Sequence, residues 1–365
     1  MIGIRKLWIG LALLLAACGG GSDGIQPTAC DGACQDAGVR LEVSDVETVI
    51  AQAVNEAQAR NATAAIAVTD RVGNVLAVYL MDGVSESFRV DSGRGVVSGL
   101  DGLTLVDDQT IPDVPAGTFG NAAAAIAKAI TGAYLSSEGN AFSTRTASQI
   151  VQENFNPGET NQPSGPLFGV QFSSLPCSDL STRFSGDTAG AGPQRSPLGL
   201  SADPGGLPLY KNGTVVGGIG VMADGLYSLD LSIGDRDRDI DELIAIAGSF
   251  GFEPPNDRRG DRITVDGKTF RFSDADRSDL ASNPDNAPAF ASLDNIGTLV
   301  AVPSYSTGGI RAGTRFGFAE SGYQPAGSAF ADLDAFVLVD DQGNELTADG
   351  QMIVTVQRWN NPPLP

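Results

Sequence analysis

The stretch "GGLPLYKNGTVVGGIGV", Gly205 to Val221, decides how this chain folds. It reads as a β-hairpin, with strands over Leu207 to Tyr210 and Thr214 to Met222 about a Lys-Asn-Gly turn of the kind that tolerates positive φ. Six of its seventeen positions are glycine. Glycine inside a strand gives up side-chain packing and costs extra backbone entropy, so Gly217, Gly218 and Gly220 imply a close approach to the backbone. Two readings follow: a helix packed tightly on the sheet, or a flat ligand lying in a shallow groove.

Working outward, "GDRDRDIDELIAIAGSFGF" closes the hairpin unit with a helix whose start is heavily acidic, as the positive end of a helix dipole favours. On the amino-terminal side, "VSDVETVIAQAVNEAQARN" places Ser44 and Glu47 at capping-box spacing, with Val46, Val49, Ile50, Ala53, Val54 and Ala57 at helical intervals. "AAIAVTDRVGNVLAVYLMDG" then gives a second hairpin, Ile66 to Thr69 and Val75 to Leu80, turning at Gly73 and Asn74. The alanine-rich helix Asn121 to Ala133 follows, and another helix starts near Ser143 or Thr144 and runs to a stop at Asn156, Pro157 and Gly158. Two polar, Gly-rich segments near 84–118 and 158–204 are too long for ordinary connections and read as insertions.

From Glu253 the pattern is one of strands and loops, "ITVDGKTFRF", "GTLVAV", "AFVLVDDQGN" and "MIVTVQRW", with no helical period. The expected fold is α+β: an antiparallel sheet flanked by helices over 41–252, followed by 253–365 as a β-rich extension of that sheet or a small second domain.

Composition narrows the function. With 23 basic and 44 acidic residues the net charge is −21, which repels nucleic acid and anionic lipid head groups. Arg5 and Lys6, the apolar run Leu7 to Leu15 and "LAAC" ending at Cys18 resemble a bacterial lipoprotein signal. That resemblance implies removal of residues 1–17, lipidation of Cys18, a tether over 18–40 and a lipid-anchored place in the cell envelope, at the periplasmic face or outer membrane. An oxidising compartment permits disulfides, for which Cys30, Cys34 and Cys177 are candidates with the pairing open.

Taken together, Ala67, Asp70, Gly73, Met81, Asp82 and Gly83, then Lys128, Ala129, Thr131 and Ala133, then Gly205, Gly206, Pro208, Gly213, Gly217, Ile219, Gly220 and Val221 form three motifs in order. This pattern resembles the GlcG/HbpS-like haem-binding family, also described as PduO carboxy-terminal-domain-like. The resemblance covers roughly Leu41 to Phe252 and implies a compact α+β unit, often a homo-oligomer, that binds haem or a similar planar cofactor for storage, sensing or transfer. It departs in two respects: Ala133 is displaced by one from the family's position, and the chain contains no histidine, the commonest protein ligand to haem iron.

A haem site here would draw on Tyr79, Met81, Lys128, Tyr210 and Met222, which lie in or beside the motifs, and on Gly217, Gly218 and Gly220. Each has a plainer role as well: methionines as core fillers, tyrosines as strand residues with one polar tip, and Lys128 as a solvated lysine instead of a partner for a propionate or other carboxylate. Asp235, Asp237, Asp239 and Asp241 alternate like the start of a calcium loop, but Ile240 and Ile246 stand where an EF-hand has its glycine and closing glutamate. Helix-start acidity accounts for them better. No nucleophile is paired with a histidine base, so catalysis ranks behind two open readings: haem or planar-cofactor binding, and a non-catalytic structural or interaction lipoprotein that retains the fold without haem.

Overall fold

A computed structural model of the chain describes residues 38–85, 87–93, 95, 101–102, 104–106, 120–152, 164–167, 196–265, 267–302 and 305–316, together with short strands between 335 and 356. Its centre is a five-stranded sheet in the order β10-β2-β1-β6-β5. The strands are β1 (Ala65–Asp70), β2 (Val75–Met81), β5 (Gly206–Lys211), β6 (Thr214–Met222) and β10 (Gly297–Leu299), and every pairing among them is antiparallel. Helix α2 (Gly120–Tyr134) covers one face, while α1 (Val43–Ala59) and α4 (Ile240–Gly248) cover the other. The expected α+β class is what the chain adopts.

The two faces differ in side-chain size, and that difference sets the layer spacing. Because strand residues alternate between faces, Ala65 and Ala67 of β1 point toward α2 while Ile66 and Val68 point toward α1. On β6, Ile219 and Val221 likewise join the α1 side. α2 meets this small-residue face with Ala122 to Ala125, Ala127 and Ala129, all buried. Large side chains fill the α1 side, and small ones draw α2 down onto the backbone.

Turns and caps follow local chemistry. Asn212 (φ 52°) and Gly213 (φ 76°) make the two-residue turn between β5 and β6, both in the left-handed region. Asp70 organises the β1–β2 turn by accepting the Val72 N–H at 3.0 Å and the Asn74 N–H at 2.8 Å. Helix α3 (Thr144–Ile150) is capped by Ser143, which accepts the Thr146 N–H at 3.1 Å. Two expectations need correction. α1 is capped by Glu42, whose N–H goes to Asp45 at 2.7 Å, and not through Ser44 and Glu47. α3 ends at Ile150, well before Asn156, because Leu167 and Gly165 return to take the carbonyls of Ile150 and Gln152.

Described residues between 253 and 302 pack onto this same unit. β10 pairs with β2, Ala141 bridges Arg259, and the carboxylate of Glu56 in α1 accepts the N–H groups of Ala281 and Ser282 at 2.9 and 2.8 Å. Within the first insertion, β3 (Ser87–Val90) and β4 (Thr104–Val106) form a small second sheet with β7 (Leu226–Tyr227), and Phe88 meets Tyr227 edge to face. At the far end of the main sheet β5 is closed off. The Gly206 N–H is held by Thr144 Oγ1 at 2.9 Å, Pro208 has no N–H, and the Tyr210 N–H is held by the Phe252 carbonyl at 2.7 Å. Cys18, Cys30, Cys34 and Cys177 lie outside the described residues.

Candidate functional site

The glycines that open the question are filled from above. Gly218 faces the Ala129 carbonyl of α2 and Gly220 faces the Ala125 carbonyl, and a Cβ at either position would overlap those backbone atoms. α2 reciprocates at Gly132, where a Cβ would stand 2.7 Å from the Leu207 carbonyl carbon. Gly217 sits against its own sheet, where a Cβ would overlap the Thr69 carbonyl and come within 3.0 Å of Leu41. Of the two readings of the glycine stretch, close helix-on-sheet packing is what Gly218 and Gly220 serve, while Gly217 is filled by its own sheet and Leu41.

The remaining cofactor candidates do not converge. Tyr79, Met81 and Tyr210 belong to the core on the α1 side of the sheet, whereas Met222 belongs to the core under α2. All four are buried, with exposures of 2%, 4%, 2% and 0%. Both tyrosine hydroxyls are already donating, Tyr79 to the Leu293 carbonyl at 2.9 Å and Tyr210 to the Ser137 carbonyl at 2.6 Å. Burial pushes the Tyr79 phenol up to about 12, with Asp82 and Asp294 adding to it, and burial also raises Tyr210. Neither phenolate is available at neutral pH, and a ligand on one face of the sheet cannot reach the residues on the other.

Lys128 is neither solvated nor open to a propionate. It is fully buried on α2, and its ammonium is paired with Asp203 and, at 2.6 Å, with Asp241. Both acids have second duties. Asp241 accepts the Ala223 N–H at 2.7 Å and the Asp224 N–H at 3.3 Å, and Asp203 accepts the Ser228 N–H at 2.8 Å. The triad thus fastens α2, the segment before β5, the β6–β7 turn and the start of α4 to one another. Burial raises the Asp203 carboxyl, against the pull of Lys128, to about 7, and raises Asp241 well above its usual range.

A second internal cation, Arg145 on α3, was not singled out by the sequence. Its guanidinium forks onto Glu242 with two bonds of 3.2 Å, contacts Asp230 at 2.9 Å and Asp237 at 3.2 Å, and lies 3.3 Å from Asp274. Burial opposes its charge, and Glu242, Asp274 and Asp230 more than offset that. The run "DRDRDIDE" is now divided by role. Asp239 caps α4 by accepting the Glu242 N–H at 2.9 Å, Asp241 serves Lys128, and Asp237 and Glu242 serve Arg145.

Beside Arg145, Asp230, Asp235, Asp237 and Asp239 line a surface pocket of about 320 Å³. One carboxylate oxygen each from Asp230, Asp235 and Asp237 lies within 4.8 Å of the others. Two of these three acids already answer the guanidinium, so the cluster is the counter-charge of a buried cation. The signal that the sequence did offer for this network was the excess of acids before α4, which one helix dipole is too weak to require.

No family model matches the chain, and no curated protein does. Among solved structures it is similar to Klebsiella pneumoniae protein ORFY, of family model DUF336, at 18% identity and a TM-score of 0.31, over 57% of this chain and 89% of that one. A PduOC:haem complex is similar at 16% identity and a TM-score of 0.31, over 57% and 93% of the two chains. A double mutant of Streptomyces reticuli HbpS is similar at 19% identity and a TM-score of 0.30, over 58% and 86%.

Proposed function

We propose that the protein is a non-catalytic binding protein of the cell envelope, held by a lipid on Cys18, whose α+β core is the rigid scaffold of that activity and not the seat of a ligand. The observation that carries this reading is the filling of the glycine hairpin by α2. A planar cofactor laid on Gly218 and Gly220 would have to displace the Ala125 and Ala129 carbonyls, and with them the buried Lys128. Among the described residues, the hydroxyls of Tyr79 and Tyr210, the Lys128 ammonium and the Arg145 guanidinium are spent on internal partners.

The order of the three motifs favours haem, or a similar planar apolar cofactor, as the ligand to test first, for storage, sensing or transfer. With no histidine in the chain and the motif residues divided between two faces, such a ligand sits on the outside of the unit. The second reading is a lipoprotein that keeps the fold without haem and binds a protein partner, and the absence of histidine favours it.

Haemin titration of the chain from Gly19 onward, followed in the Soret region with hydrogen exchange of α2, separates the two. A saturable, stoichiometric shift with unchanged protection of α2 supports haem on the outer surface. No saturable change at micromolar haemin removes haem and leaves the partner-binding reading. A shift accompanied by loss of α2 protection overturns the scaffold reading, because the ligand then enters the glycine layer. Membrane fractionation of a Cys18→Ser variant tests the anchor: the wild-type chain is expected in the membrane fraction and the variant outside it. A variant that stays membrane-bound sinks the lipid assignment.

A further inference from the structure

Two carboxylates share one ammonium in the interior, and the group carries one negative charge too many when both are ionised. Lys128, Asp203 and Asp241 have side chains no more than 4% exposed, so water screens none of this excess. The neighbours do not cancel it. Asp224 from the β6–β7 turn and Asp239 from the start of α4 add negative potential, and β7 contributes the buried, neutral Tyr227 hydroxyl. Lys128 is the one cation facing the group from α2.

We propose that Lys128, Asp203 and Asp241 form a one-proton latch, which fastens the β6–β7 turn to the start of α4 while a shared proton is present and slackens when that proton leaves for water. With the proton in place, one carboxylate balances the ammonium and the other is neutral. The clamp then holds the Ala223 and Asp224 N–H groups through Asp241 and the Ser228 N–H through Asp203. Without the proton, two anions repel across one cation while still committed to those bonds. The two carboxyls titrate as a unit, so the proton belongs to the pair.

The sign follows from the raised carboxyl. Asp203 binds its proton more tightly folded than unfolded, so its contribution to stability is complete below the ordinary aspartate range and is lost as pH rises through about 7. Most carboxylates act in the opposite sense.

The experiment is denaturant unfolding of the whole mature chain between pH 5 and pH 8.5, wild type against Asp203→Asn, which fixes the neutral form. The ratio of the two folding constants is expected to fall by roughly tenfold per pH unit up to about pH 7 and to level off above it. Amide exchange at Ala223 and Asp224, corrected for intrinsic rate, is expected to quicken over the same range in the wild type alone. A ratio that stays constant with pH overturns the latch. Should Asp203→Asn fail to fold, carbon NMR of the wild-type aspartate carboxyls decides: a resonance titrating near neutrality sustains the proposal, and none titrating above about pH 5 removes it.

Discussion

Replacing Gly220 by alanine is the sharpest test of what the glycines do. The added methyl would overlap the Ala125 carbonyl, and it would also press on Lys128 Cβ at 2.9 Å, so α2 must lift or tilt. Overpacking of this kind costs about 1–3 kcal/mol, and the upper end applies because the obstacle is helix backbone instead of a side chain that can rotate away. At about 2–4 °C per kcal/mol for a unit of this size, the melting temperature should fall by about 6–12 °C. Gly218→Ala should behave alike through the Ala129 carbonyl. Gly309→Ala is the control: nothing lies within 4 Å of its Cβ position, and it should be neutral or slightly stabilising. Thermal unfolding by circular dichroism, without any ligand, reads all three. If Gly218→Ala and Gly220→Ala melt within a degree or two of the wild type, the helix is not seated on these glycines and the packing account is wrong.

The two other polar anchors give separate expectations. Arg145→Met removes the cation from Glu242, Asp230 and Asp274 and leaves buried acids unpaired, for a loss of about 3–5 kcal/mol in denaturant unfolding; a loss under about 1 kcal/mol would mean the acids find other partners. Glu56 is held below the usual glutamate range: burial raises its carboxyl, but hydrogen bonds from Ser282, Ala281 and Arg60 outweigh that. Its contribution is therefore present at neutral pH and lost as pH falls through its folded value. Glu56→Gln should cost about 1.5–3 kcal/mol at pH 7 and much less near pH 3, with earlier protease cutting around Ala281; an equal cost at both pH values would refute the charged anchor.

Much of the framework was readable from local pattern. The Asn212-Gly213 turn, the Ser143 cap and the acidic start of α4 each depend on residues within four positions of one another. What the sequence left undecided was whether the glycines face a ligand or a helix, since both demand the same residue. Lys128 was out of reach for a different reason. Its partner Asp241 lies 113 residues away, and a buried lysine on an alanine-rich helix has no local signature separating it from a solvated one. The pairing of β10 with β2 rests on only three residues, too short a strand to show a period. The sequence could name an extension of the sheet but not its seat.

The closed margin at β5 bears on how copies of this chain can meet. A sheet with free N–H groups at its rim invites another strand, the common route to runaway aggregation and to dimers joined through a continuous sheet. Here Thr144, Pro208 and Phe252 deny that hold at one end, and the opposite end finishes in a strand of three residues. At the β5 margin of this sheet, copies could meet only by side chains touching side chains and not by a continued ladder. Copies at high local concentration gain from that arrangement, because at the β5 margin neighbours offer one another nothing to extend.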